Sequence, residues 1–230
     1  MQILELQQFL QHNDIQGIVF DLDGTLIDSA PDILGAMREA FSTMGLGEVP
    51  EDYFPDNLHG TSEGIMRHII SDMGWTAPSD FSGLLSVYFE IYARRNHSAT
   101  RLYPGVRQFL MACNELIPMA ICTNKIERNA KAALRVTEID NYFRVVSGAD
   151  TWSATKPSPV PLLETIRSLD LMPQQCLYFG DTSVDAECAN RAGVRFVLHS
   201  GGYGDQALGN QPCFKVFNDW NEWLLTSSPA

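Results

Sequence analysis

Positive charge is scarce in this sequence. Its 230 residues hold 16 Lys and Arg against 28 Asp and Glu, a formal net charge of −12. Sequence-independent nucleic-acid binding draws on a basic surface, so no nucleic-acid partner is expected. Attraction to an anionic membrane surface is not expected either. An anionic small substrate stays open, provided that local positive groups or a metal override the global field. Long apolar runs are missing as well; none approaches the roughly 20 residues that span a bilayer. The first residues, Met1 to Asp14, have no basic start and no unbroken apolar stretch, and they do not read as a signal peptide. Cysteines are few. Cys113, Cys122, Cys176, Cys188 and Cys213 are odd in number, form no C-x-x-C pair and sit inside apolar runs. They read as small core hydrophobes, not as a disulfide framework or a zinc site, and the expected compartment is a reducing cytoplasm. Repeats and low-complexity tracts are also lacking. What remains, 45% apolar and 19% charged residues, is the composition of a globular protein. The length suffices for one large domain or for a core with a smaller insert.

Short apolar runs alternate with helical periods. Gly17–Phe20, Met119–Cys122, Phe143–Val146, Cys176–Phe179, Val194–Leu198 and Phe214–Phe217 read as buried strands. Between them, Val106, Phe109, Leu110 and Cys113 share one helical face. Pro159 and Pro161 open a helix after Ser158, and Val184, Cys188 and Ala192 mark another that ends at Gly193. Strands alternating with helices predict an α/β fold with a parallel sheet covered on both faces. Leu4, Leu6, Phe9 and Leu10 suggest a short helix ahead of the first strand. From Ser29 to Tyr103 the rhythm breaks, and only helical periods appear. Ser29 with Asp32 is a capping signal. Three stripes follow: Ile33, Leu34, Met37, Phe41 and Met44; then Ile65, Met66, Ile69, Ile70 and Met73; then Phe81, Leu84, Leu85, Tyr88 and Tyr92. This interval reads as a separate helical domain, residues 29–103, set between core segments 1–28 and 104–230.

Ligands of open parallel sheets bind outside the carboxyl ends of the strands. The first strand is followed by Asp21-Leu22-Asp23-Gly24-Thr25. Residues i and i+2 of an extended chain point to one side, so two carboxylates share a crevice, where unpaired charge is costly. A hard cation such as Mg²⁺ would relieve that cost. A calcium loop is a poorer match, because the glycine comes too early and the terminal Glu is missing. Thr123 and Asn124, then Lys125, follow the second strand and suit an anion at a helix start. Lys156-Pro157 precedes a helix. Gly180-Asp181-Thr182-Ser183-Val184-Asp185 follows the fourth apolar run, and its two carboxylates lie one helical turn apart. Each of these segments also has a plain structural reading: a solvated turn, a helix cap or a surface lysine.

Taken in order, the four segments resemble the motifs of the haloacid dehalogenase superfamily: Asp-x-Asp-x-Thr, a Ser or Thr, a Lys, and Gly-Asp-x-x-x-Asp. Asp28-Ser29-Ala30-Pro31-Asp32, Tyr103-Pro104-Gly105-Val106, Thr123-Asn124-Lys125 and Ala192-Gly193 are similar to its phosphoglycolate phosphatase branch. Trp152 to Thr155 and His59-Gly60 depart from that pattern. The resemblance implies a Rossmann-like core with the helical interval as a small cap inserted after the first strand. It implies Mg²⁺-dependent hydrolysis of a small phosphomonoester, with 2-phosphoglycolate favoured, through an aspartyl-phosphate. Asp21 would be the nucleophile and Asp23 the general acid and base. Asp21, the backbone carbonyl of Asp23, and Asp181 would hold Mg²⁺, with Asp185 orienting metal water or Lys156. Thr123, the Asn124 amide and Lys156 would bind phosphoryl oxygens. His59, Arg67, Arg94 and Arg95 are candidates to select the substrate from the cap. A phosphomutase shares all four motifs, and a non-catalytic binding protein could share the fold; both stay open here, and the sequence is silent on oligomeric state.

Overall fold

The computed structural model describes residues 3–56, 58, 60–204, 208 and 211–225. It divides into two compact units, Met1–Asp28 with Arg101–Ala230, and Ser29–Thr100.

The first unit is built on a six-stranded, all-parallel sheet of β1 (Gly17–Phe20), β4 (Met119–Cys122), β5 (Val145–Ser147), β6 (Cys176–Gly180), β7 (Arg195–His199) and β8 (Lys215–Phe217), in the spatial order β5-β4-β1-β6-β7-β8. Two short strands, β2 (Ile27–Asp28) and β3 (Arg101–Leu102), pair antiparallel where the chain leaves and re-enters this unit. Every residue of β1, β4 and β6 is buried, the mark of a parallel sheet packed on both faces. Alternation then assigns the faces. Ile18, Phe20, Ile121, Leu177 and Phe179 join α1 (Ile3–His12), α5 (Val106–Asn114), α6 (Glu127–Val136) and α9 (Glu222–Leu225) in one core. Val19, Ala120, Cys122, Cys176 and Tyr178 join α7 (Val160–Arg167) and α8 (Ser183–Ala192) in the other. Phe20, Phe179 and Trp220 stack in the first core, with Phe179 centroids 5.2 Å from Phe20 and 5.5 Å from Trp220. Each such ring contributes about 1.5–3 kcal/mol by burial.

Chain order reverses beside β1. The chain steps outward through β4 and β5, then crosses back to β6 on the other side. A crevice therefore opens outside the carboxyl end of β1. The strand expected at Phe143–Val146 begins two residues later, because Asp140–Tyr142 forms a 3₁₀ turn and Phe143 is still extending from it. Four cysteines are buried and Cys213 is half-buried. In α1 the expected apolar face is Leu6 and Leu10, while Leu4 is exposed.

The second unit contains α2 (Ala30–Thr43), α3 (Ser62–Asp72) and α4 (Phe81–Arg95). Leu34, Met37 and Phe41 of α2, Met66 and Ile69 of α3, and Leu84, Tyr88 and Tyr92 of α4 are buried, whereas Met44 is exposed beyond the end of α2. Thr61 and Asp80 cap α3 and α4 by accepting the Gly64 and Gly83 amides at 3.1 and 2.9 Å. Ser29 makes no side-chain cap bond. Its expected partner Asp32 is instead fully buried and accepts the Ala99 amide (2.9 Å) and the Thr100 hydroxyl (2.8 Å), which ties the two ends of the unit together. Arg67 pairs with Glu63, Arg94 with Glu39, and Arg95 with Asp32 and Glu39. His59 lies outside the described residues. Among the described residues no helix is long and apolar enough to cross a membrane.

Candidate active site

Three neighbouring strands deliver the site. Asp21 follows β1, Thr123 follows β4 and Asp181 follows β6, all at carboxyl ends. The Asp21 amide donates to Phe179 O at 2.8 Å and keeps the residue in line with β6. Leu22 is fully buried. Asp21 and Asp23 on either side of it are held by separate lysines, Asp21 by Lys156 and Asp23 by Lys125. The chain then turns sharply, with the Gly24 amide donating to Ile27 O at 2.8 Å. Gly24 sits at φ +83°, and a Cβ there would overlap the Asp181 carboxylate. Only glycine satisfies both conditions.

Lys156 is the electrostatic centre. Its ammonium donates to Asp21 Oδ1 (2.7 Å), Asp185 Oδ1 (2.6 Å) and the Tyr178 hydroxyl (3.0 Å), which uses all three of its protons. The Tyr178 hydroxyl in turn lies 2.9 Å from both Cys122 O and Asp185 Oδ1. Asn124 fastens the lysine's backbone: its side-chain amide donates to Lys156 O (3.1 Å) and its side-chain oxygen accepts the Lys156 amide (3.0 Å). Asp23 faces a second lysine. Lys125 Nζ lies 2.9 and 3.0 Å from its two carboxylate oxygens.

Asp181 and Asp185 differ in how they are satisfied. Asp185 Oδ2 accepts from the Thr182 amide (3.1 Å) and hydroxyl (2.6 Å), closing a capping box at the start of α8. With Oδ1 on Lys156 and Tyr178, both its oxygens are committed. Asp181 accepts one bond on each oxygen, from the Thr25 hydroxyl (3.0 Å) and the Tyr203 amide (2.7 Å), both neutral donors. One oxygen from each of Asp21, Asp181 and Asp185 lies within 4.8 Å of the others, and all three residues are buried.

Burial and crowding shape the charges. Burial pushes Asp21 up to about 6; Lys156 opposes that rise, and Asp185 and Asp23 add to it. Asp181 is driven well above the usual carboxylate range by burial and then by the charges of Asp185 and Asp21. Burial would do the same to Asp185, but Lys156, Thr182 and Tyr178 bring it below that range. Burial disfavours the Lys156 ammonium, yet Asp185 and Asp21 hold it charged well above the usual lysine range.

Sequence pattern alone does not single out Tyr178, Tyr203 or His199, and it gives Lys125 and Thr25 no separate role. Tyr178 was legible from strand alternation, which puts it on the face opposite Phe179. Tyr203 lies in Gly201-Gly202-Tyr203-Gly204, a glycine-rich segment just after β7 and so at a strand end. Its hydroxyl donates to Asp28 at 2.7 Å while its amide holds Asp181. His199 is buried, and its Nδ1 donates to Gly24 O at 2.8 Å. No motif marks it.

Known proteins match this architecture. The model of the haloacid dehalogenase-like hydrolase family covers residues 18–199. The phosphoglycolate phosphatase of Aquifex aeolicus (strain VF5) is 34% identical over 187 residues, which is 81% of this chain and 85% of that protein. That of Rhodobacter capsulatus is 32% identical over 209 residues, 89% of this chain and 93% of the relative. Among solved structures, a predicted phosphoglycolate phosphatase of Haemophilus somnus 129PT superposes with a TM-score of 0.82 at 25% identity, over 92% of this chain and 97% of that one. With its sheet, strand-end carboxylates and family match in agreement, the chain belongs to the haloacid dehalogenase-like hydrolase family, as a phosphoric monoester hydrolase of the phosphoglycolate phosphatase-like branch.

Proposed function

We propose that the protein hydrolyses a small phosphomonoester, with 2-phosphoglycolate the favoured substrate, through a phosphorylated Asp21, and that it depends on Mg²⁺. The observation that carries this reading is the Lys156 ammonium spanning Asp21 and Asp185 beside Asp181. A buried carboxylate with a charged partner at one oxygen is a fixed nucleophile, and the same ammonium lies where phosphoryl charge would collect.

The residues suit a divalent cation. Asp181 is buried among like charges and bonded only by neutral donors, so its charged form is strongly disfavoured. A hard cation reverses that penalty. Asp21, the Asp23 backbone carbonyl and Asp181 would hold it. Asp185, whose oxygens are committed, positions Lys156 instead. When bound, Mg²⁺ supplies charge stabilisation to the phosphoryl oxygens.

On this reading an oxygen of Asp21 attacks phosphorus as the bond to the leaving oxygen breaks, and Asp23 gives its proton to that oxygen. Water then attacks phosphorus, Asp23 takes up the water's proton, and the Asp21–phosphorus bond opens to release phosphate. Thr123 and Lys156 face the phosphoryl oxygens. The Asn124 side chain is spent on the Lys156 backbone, so the backbone amide is the group this position offers.

The test is release of free phosphate from a panel of small phosphomonoesters, with Mg²⁺ and with EDTA. Expected are turnover with 2-phosphoglycolate, its loss in EDTA and its loss in a folded Asp21→Asn variant. Retained turnover in Asp21→Asn would refute the nucleophile. Interconversion of sugar phosphates with little phosphate released would assign the protein to mutase chemistry, and no turnover at all would leave a binding role.

A further inference from the structure

We infer that Lys125 is a positioning residue for Asp23: it fixes the plane and direction of the carboxylate that exchanges protons with the leaving group and with water. The inference rests on the reading above. Its basis is geometric. Lys125 Nζ sits 2.9 and 3.0 Å from the two oxygens of Asp23, nearly equidistant, and so bridges the carboxylate edge. The lysine side chain is 7% exposed and the aspartate side chain 20% exposed, so water competes weakly for either partner. The pair also joins different strand ends, since the two residues stand 102 positions apart.

The base of Lys125 is itself held. Its amide donates to the Thr123 hydroxyl at 3.2 Å, and its carbonyl accepts the Ala149 amide at 3.0 Å. A long, flexible side chain anchored at both ends of its peptide loses less freedom on pairing than one on a mobile loop. Lys156 cannot take over this task, because its three protons are already directed to Asp21, Asp185 and Tyr178. The two lysines therefore divide the work. Lys156 serves the nucleophile, and Lys125 serves the proton carrier. Proton transfer demands a donor within hydrogen-bond reach of one particular oxygen, and a displacement of about 1 Å costs on the order of 100-fold. Asp23 lies on a tight turn, and its own side chain has two rotatable bonds with which to miss.

The experiment compares Lys125→Met and Lys125→Arg with wild type on two classes of ester. An alkyl phosphate has a poor leaving group that needs the proton. p-Nitrophenyl phosphate has a good one that does not. The readout is kcat/KM, which reports the first phosphoryl transfer, alongside circular dichroism and Tm. In Lys125→Met, kcat/KM for the alkyl ester should fall on the order of 10- to 100-fold, carried by kcat, and by a much smaller factor for the aryl ester. Lys125→Arg, which keeps charge and reach, should recover much of the alkyl loss, and Lys125→Gln, which also removes the ammonium, carries the comparison of the two esters if the Met variant does not fold. Equal losses on both esters would overturn the assignment, whatever happens to Tm. So would a rise in KM confined to substrates with a second anionic group, which would make Lys125 a substrate contact. A wild type that hydrolyses neither ester removes the phosphatase reading and this assignment with it.

Discussion

Replacing Lys156 by methionine tests the electrostatic centre directly. The substitution keeps the length of the apolar stem and removes one buried ammonium. Two carboxylates lose their charged partner, Asp21 with a side chain 8% exposed and Asp185 with one 1% exposed. Breaking a buried pair from one side costs about 3–5 kcal/mol, because an uncompensated charge remains. For a chain of this size each kcal/mol moves Tm by about 2–4 °C, so a fall of roughly 6–20 °C is expected. The deficit should depend on pH. Lys156 holds Asp185 below the ordinary value of 3.8, so that pairing stabilises the fold above 3.8 and is lost as pH falls below it. Asp21 adds in the same sense. Without Lys156 its pKa rises beyond about 6, so the cost of its stranded charge grows as pH rises toward 8 and disappears in mild acid, where the carboxyl is neutral. The assay is thermal unfolding of both proteins from pH 8 to pH 4. Lys156→Met/Asp185→Asn removes one stranded carboxylate and should recover about 0.5–3 kcal/mol without restoring turnover. A single variant within about 3 °C of wild type at pH 8, or a deficit that does not change with pH, would refute the reasoning.

Mg²⁺ should stabilise the metal-free protein through Asp181. At 100 times Kd the gain is about 2.7 kcal/mol, or roughly 5–10 °C in Tm, and Asp181→Asn should abolish the response; an equal shift in that variant would count against Asp181 as a ligand. His199 predicts an acid-side loss. Burial lowers its pKa from 6.5, so the unfolded chain binds a proton first as pH falls, and stability drops from about pH 6.5 downward. His199→Asn should have a lower Tm than wild type at pH 7.5 but lose less on going to pH 5.5, and identical losses would sink this assignment.

Much of this architecture was legible because parallel strands buried on both faces announce themselves as apolar runs. Gly17–Phe20 and Met119–Cys122 are read off the sequence to the residue for that reason. At Phe143 the run misleads, since an apolar residue leaving a 3₁₀ turn looks like one entering a strand. Ser29 and Asp32 mislead in another way. The spacing suits a cap, but whether Asp32 turns to the helix start or to Ala99 and Thr100, some 67 and 68 residues away, depends on a long-range contact that local pattern does not encode. The same limit hides Lys125. Its neighbours Thr123 and Asn124 sit where an anion suits a helix start, whereas the reach to Asp23 exists only once β4 lies beside β1.

The charge balance of the strand ends explains why local composition and global charge point in different directions. Asp21, Asp23, Asp181 and Asp185 stand against Lys125 and Lys156, a surplus of two negative charges if every group is ionised. The lysines are not spread evenly. Lys156 takes Asp21 and Asp185, and Lys125 takes Asp23. The surplus therefore falls beside Asp181, whose hydrogen bonds come from neutral donors and whose charged form burial opposes. With every group ionised and no additional cation, the site would present a net negative cluster to an anionic substrate, on a protein of net charge −12. One divalent ion held there would cancel the surplus where it is concentrated. On the proposed reading the charge of Lys156, the Thr123 hydroxyl and the Asn124 backbone amide would then act on the phosphoryl group. On this argument metal binding precedes productive substrate binding. An inert phosphate analogue should bind measurably in the presence of Mg²⁺ and weakly in its absence, and binding of equal strength in both conditions would show that the lysines alone overcome the field.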